Sequence, residues 1–426
     1  MKTLLKGQTL QFLSNPFRTD WAGAVRHEPH GAVVVDHGQI VDIGLADAMV
    51  TAHPGAVVKD HGKHLILPGF VDAHVHYPQT RIIASWGKRL IDWLNTYTFP
   101  EEMRLADPSY ATTVAGDYLD LVTARGTTTV ASFCTSSPVS VDALFTAAES
   151  RNMRIVAGKT CMDRNAPDGL CDTAQRGYDE SKALIDRWHG MGRAMYAITP
   201  RFAPTSTPEQ LQTLGELWSE YPDCLMQTHL SEQHEEIAWV RDLFPEATDY
   251  LDIYDRFGLL GRNGLYGHSI HLTDREKAKL AEVDAAVVHC PTSNTFIGSG
   301  LFDTMGLTQT LRVALATDTG GGSSFSMLRT MAAAYEVAQL RGDVLHPAQM
   351  VWMATAGGAE AMGLNGVIGT LNTGAEADFV VLDLESTDAI AQRARNADGF
   401  WDLLFPTLMM GDERAVAATY IAGVKV

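Results

Sequence analysis

The 426-residue chain is poor in cysteine, short of basic residues relative to acidic ones, and without a long apolar run. Its five cysteines, Cys134, Cys161, Cys171, Cys224 and Cys290, are scattered, odd in number and without a Cys-x-x-Cys pair. That pattern argues against a disulfide framework and against a cysteine zinc site, and it fits a reducing compartment. Only 33 Lys+Arg stand against 51 Asp+Glu, a net charge of -18. Such a field repels phosphate backbones and anionic membranes, so nucleic acid polymers and membranes are disfavoured and a neutral small molecule remains open. No segment has the length of a membrane span, and the opening MKTLLKGQTLQFLSNPF lacks both a long apolar core and a small-residue cleavage site, so a cytoplasmic protein is expected. No glycine-rich phosphate turn occurs early in the chain. The later TGGGSSFS (Thr319 to Ser326) lacks the lysine of a Walker motif, and nucleotide binding is not expected.

What is present is an ordinary globular composition, 46% apolar and 20% charged, able to bury a sizeable core. Both ends are rich in strand signals: GAVVVDHGQIVDIG (Gly31 to Gly44) reads as a hairpin around His37-Gly38, and ADFVVLDLE and AVAATYIAGVKV have the same character. Between them, short apolar runs alternate with helical patterns. In TSTPEQLQTLGELWSEY, Thr207 can cap a helix, Pro208 suits its first turn, Gln210 completes a capping box and Leu211, Leu214, Leu217 and Trp218 share a face. With the run that ends at His76 the strands number eight, which predicts a (β/α)8 TIM-type barrel with its active site where the strands end. The expected division is a barrel over 67–366, with 1–66 and 367–426 forming a small β-sandwich from both chain ends.

In FVDAHVH the side chains of His74 and His76 point to one face of a strand, so two imidazoles can close on one ion. If the barrel holds, His229 (strand five), His268 (strand six) and Asp318 (strand eight) converge on the same mouth, a nitrogen and carboxylate set that suits zinc or another borderline divalent ion. Glu232, three residues after His229 in THLSE, is placed to serve as a general base toward a metal-activated water. His271 competes with His268, which is preferred because Leu265 to Gly267 continue straight into it. His289, before Cys290-Pro291, is read either as a further ligand or as a brace for the PTSN loop, the brace being preferred. Strand four ends in ITPRF, where Arg201 stays protonated; Lys159 on strand three is only a weak candidate bridge between two metals, so one metal is expected.

The motifs PGFVDAHVH, THLSE, GHSIHLT, HCPTSN and ATDTGGG, in this order, resemble the amidohydrolase superfamily and its aminoheterocycle deaminase and chlorohydrolase branch. A narrower resemblance, to the guanine deaminases of that branch, rests on HYPQT, LIDWLNTYTFPEE (Leu90 to Glu102) and TPRF. It implies one zinc per chain, with iron as the alternative metal, on His74, His76, His229 and Asp318. Glu232 would be the proton shuttle, and His268 and Asp318 would be catalytic beside the attacking oxygen. Gln79, Arg201 and Phe202 would hold the purine, and Trp93 would become a pocket wall where packing alone would make it core. Thr319 and Gln233 depart from the residues common at their positions among relatives. The implied reaction is hydrolytic deamination of guanine to xanthine and ammonia by a homodimer. Its rivals are deamination or dechlorination of another aminoheterocycle, such as a triazine, a pterin or cytosine, and a non-catalytic purine-binding relic.

Overall fold

The computed structural model describes residues 2–87 and 89–426. Eight strands follow one another as spatial neighbours in the order in which they occur: Phe70–His76, Thr127–Phe133, Arg154–Gly158, Ala194–Pro200, Leu225–Leu230, Gly264–His268, Ala286–His289 and Arg312–Leu315. A two-residue strand, Thr160–Cys161, prolongs the third and pairs with the fourth. With helices in the intervals, this is the (β/α)8 barrel the alternation predicted. Its strands are covered on both faces, which is why they read as continuous apolar and β-branched runs; every residue of Thr127–Phe133 and of Leu225–Leu230 is buried. Beyond the ladders, the first strand is stitched to the segment after the last. The Asp318 amide donates to the His74 carbonyl at 3.0 Å and the His76 amide to the Thr319 carbonyl at 2.5 Å.

Helix Pro208–Glu220 starts as expected, with Thr207 accepting from the Gln210 amide and Pro208 in the first turn. The reciprocal half of the capping box is not made. Gln210 Oε1 accepts from Ser206 Oγ at 2.8 Å, and the Thr207 amide donates to Asp163 Oδ1 at 2.7 Å. A carboxylate is the stronger acceptor and displaces the neutral amide from that position.

Strands from both ends of the chain form one mixed sheet of seven, ordered Val424–Lys425, Val416–Ile421, Phe379–Leu382, Val57–Pro68, Thr3–Phe12, Val25–Asp36 and Gln39–Leu45. The last two are the expected hairpin, turning on His37 and Gly38 at φ 48° and 79°, the left-handed pair that a type I′ turn requires. Alternate residues serve opposite faces. Leu5, Val33 and Val35 join Phe379, Val381 and Tyr420 in one core, while Leu4, Ala32 and Val34 pack with Ala46 and Met49 of helix Ala46–Ala52.

The chain divides into two compact units, one of Met1–Asp72, Asp120–Thr129 and Phe325–Val426, the other of Ala73–Leu119 and Val130–Ser324. Every candidate site residue lies in the second. Among the described residues, no helix is long and apolar enough to cross a membrane.

Candidate active site

His74 and His76 close the first barrel strand, His229 lies on the fifth and His268 ends the sixth. Asp318 follows the eighth by three residues. Their side chains meet. His76 Nε2 and His229 Nε2 are 3.1 Å apart, and Asp318 Oδ1 lies 3.7 Å from Nε2 of both His74 and His76. In a tetrahedral zinc site with bonds of about 2.0–2.1 Å, neighbouring ligand atoms stand roughly 3.4 Å apart, so these separations fit one small cation.

The protonation pattern agrees. His229 Nδ1 donates to the Arg201 carbonyl at 2.6 Å, which leaves its Nε2 bare in the neutral ring. His74 Nε2 is buried with no hydrogen-bond partner. Burial, and then mutual repulsion with neighbouring histidines, pushes His74, His76 and His229 well below the usual imidazole range, so all three are neutral bases. Bare nitrogens crowded together in a dry site repel one another unless a cation stands between them.

The backbone is bent at two points to aim these groups. His268 and Asp318 have φ of 65° and 48°, in the left-handed region that costs non-glycine residues energy. The close approach also needs glycine: a Cβ on Gly267 would lie 2.6 Å from His74 Cε1, and one on Gly320 would lie 2.6 Å from Gln79 Cβ. The glycine run after Asp318 thus makes room for side chains of the site.

Glu232 is buried beside this cluster, its Oε2 3.5 Å from His268 Nε2. Desolvation lifts its carboxyl from the usual 4.5 to about 7, and the Ser299 hydroxyl, donating to Oε1 at 2.7 Å, pulls the other way. Gln233 steadies that donor, its Nε2 lying 3.1 Å from Ser299 Oγ, so the departure noted at 233 supports the base. His268 Nδ1 meets Asn294 Oδ1 at 2.8 Å, and Nε2 faces Asp318 Oδ2 at 3.7 Å.

A pocket of about 440 Å³, open to solvent, is lined by His76, His229, Glu232, His268 and Asp318, and also by Gln79, Trp93, Leu94, Arg201 and Phe202. Trp93 and Phe202 are buried in its wall, Phe202 in one apolar cluster with Leu94, Phe99, Met162 and Leu170. Gln79 and Arg201 share a residue to which the sequence reading assigned no part. Glu102, on helix Phe99–Arg104, accepts from Gln79 Nε2 at 2.8 Å and from Arg201 Nη1 at 2.8 and 3.1 Å.

The competing residues lie in other surroundings. His271 is occupied elsewhere, its Nε2 2.8 Å from the Ser299 carbonyl and its ring 3.9 Å from that of His234. His289 is buried against Phe302, ring centroids 4.4 Å apart, and does not line the pocket. Lys159 is buried in ion pairs with Asp172 and Glu180. The sequence reading gave Cys290 no part in the site, yet its sulfur falls within 4.8 Å of potential ligand atoms of His74, His268 and Asp318. Its position directly after the strand Ala286–His289 was the available signal.

A sequence model of the Amidohydrolase family matches residues 65–426. The guanine deaminase of Escherichia coli (strain K12) is 43% identical over 404 residues, 94% of this chain and 92% of that protein. Among solved structures, E. coli guanine deaminase superposes with a TM-score of 0.97 at 41% identity, covering 100% of this chain and 99% of the other. Guanine deaminase from C. acetobutylicum, with guanine bound in its active site, superposes with a TM-score of 0.89 at 28% identity, covering 100% of both. The matched span takes in the first barrel strand, the imidazole and carboxylate cluster and the C-terminal strands of the sheet: the chain belongs to the amidohydrolase family.

Proposed function

We infer that this protein catalyses the hydrolytic deamination of guanine, converting guanine and water into xanthine and ammonia. The observation that carries this reading is a single pocket in which an imidazole and carboxylate cluster, a buried Glu232 and a wall of Gln79, Arg201 and Phe202 face one another. Relatives alike along nearly the whole chain are guanine deaminases.

His74, His76, His229 and Asp318 would hold one divalent cation, zinc with iron as the alternative, and such a cation makes water nucleophilic near neutral pH. Glu232 takes a proton from the attacking water and delivers it to ring N3 while oxygen adds at C2. A carboxyl poised near neutrality suits both halves of that transfer. His268 and Asp318 orient the oxygen, and Asp318 passes the water's second proton to the amino group, which leaves as ammonia when the C2–N bond breaks. Phe202 and Trp93 offer apolar faces to the purine, and Arg201 donates to its O6 carbonyl. The substrate is neutral, in keeping with a chain of net charge -18. Five cysteines, none of them in a disulfide, support a cytoplasmic setting, and the family resemblance supports a homodimer, which light scattering on the purified protein reads directly.

The test is ammonia release by metal-replete protein from guanine, adenine, cytosine and melamine. Guanine should be the preferred substrate. Turnover of one of the other three without guanine would overturn the assignment.

A further inference from the structure

We propose that Glu102 is a positioning residue that sets which way the Gln79 amide faces, and so makes the pocket select purines with a carbonyl beside a ring N–H. This deepens the proposed function and rests on it. Glu102 is buried, and its carboxylate can only accept hydrogen bonds. The Gln79 group facing it must therefore be the NH2, as the 2.8 Å contact from Nε2 has it. The flipped amide would set its carbonyl against a carboxylate, two acceptors in a dry site.

Gln79 Oε1 is left to accept, and among the described residues no protein group donates to it. The same carboxylate takes Nη1 of the buried Arg201, which holds the fork in place and offsets its charge. Both residues line the pocket. One carboxylate thus presents the ligand with an acceptor from Gln79 and donors from Arg201. Guanine carries the complementary pair, the C6 carbonyl and N1–H. In 2-aminopurine the C6 carbonyl is missing and N1 is itself an acceptor, although the C2 amino group is retained.

The neighbouring acid makes the assignment specific to position 102. Glu101 faces away, accepting from Tyr110 at 2.5 Å and from Arg104 at 2.9 Å. Of the adjacent pair Glu101-Glu102, only the second reaches the pocket-lining residues.

The experiment compares wild type, Glu102→Gln and Glu102→Asp, each checked for metal content, and measures kcat and KM for guanine and the inhibition constant of 2-aminopurine. An amide at 102 both donates and accepts, so Gln79 is released to present either end. In Glu102→Gln the KM for guanine should rise about tenfold or more, kcat should fall less, and 2-aminopurine should bind within about threefold of its wild-type value. Glu102→Asp keeps an acceptor-only group and should retain most of the wild-type preference for guanine over 2-aminopurine. Equal weakening of both ligands in Glu102→Gln would overturn the proposal, as would loss confined to kcat. If Glu102→Gln does not fold, Glu102→Asp decides against Gln79→Ala: a preference in Glu102→Asp no better than that of Gln79→Ala would overturn it. Wild-type protein inactive on guanine ends both readings, whereas active wild type with an unchanged preference in the variants ends only this one.

Discussion

At the scale of single residues, the proposed chemistry turns on one carboxyl held out of water. Glu232 sits near 7 because burial disfavours its charged form, and the Ser299 hydroxyl only partly offsets that. Its folded pKa lies above its unfolded one, so the folded state holds the proton more tightly. The associated stability is full below pH 4.5 and is lost as pH rises through about 7. Metal-free Glu232→Gln should therefore be more stable than metal-free wild type at pH 8, by about 1–3 kcal/mol, and equal to it near pH 4. Denaturant melts at the two pH values check this, and equal stability at pH 8 would mean the carboxyl is not desolvated. Turnover needs the ionised form, so kcat/KM should climb with pH up to a pKa no higher than about 7, a bound cation drawing it down. The glutamine variant should lose roughly 10²–10⁴ in kcat while keeping its metal. Arg201→Ala should raise the KM for guanine and leave metal content unchanged; a metal-depleted variant would remove Arg201 from the substrate-binding role.

At the scale of elements, the strands place the side chains of the cluster and the turns after them aim those side chains. Gly267→Ala would press a Cβ to 2.6 Å from the His74 ring, on the strand that ends in His268. The expected result is a folded barrel, by circular dichroism, with metal content and activity both lost; full metal occupancy would show that the strand yields easily. The eight strands were legible because burial on both faces demands unbroken apolar and β-branched runs, and His74, His76, His229, His268 and Asp318 because they lie in the last residues of such runs or follow them. Glu102 was not legible. In FPEE two adjacent acids at the start of a helix both look like favourable charges at its N-terminus, and nothing in spacing separates the one facing Arg104 from the one facing Arg201. Gln210 misled for a related reason, since the stronger acceptor at the helix start, Asp163, lies 44 residues away in sequence from Thr207. Partners brought together by the fold carry no local signature.

At the scale of the whole molecule, three buried neutral imidazoles are tolerable without metal at neutral pH and become costly in acid. Their pKa values lie well below the ordinary 6.5, mainly through burial, so the unfolded chain takes up protons that the folded one refuses. Metal-free protein should stay folded at pH 7 and lose stability as pH falls below about 6.5. Zinc returned at 100 to 1,000 times its dissociation constant should add about 2.7–4.1 kcal/mol, visible as a higher Tm. A Tm indifferent to zinc would mean that the cluster is not a metal site.

The two backbone hydrogen bonds that tie His74 and His76 to Asp318 and Thr319 give that site a further property. One proposed ligand pair comes from the first stave of the barrel, and the carboxylate arrives only after the last. With the proposed ligand set, an ion gripped by all four side chains would certify that the hoop has been drawn shut, and bound metal in a purified sample would double as a tally of molecules that finished folding.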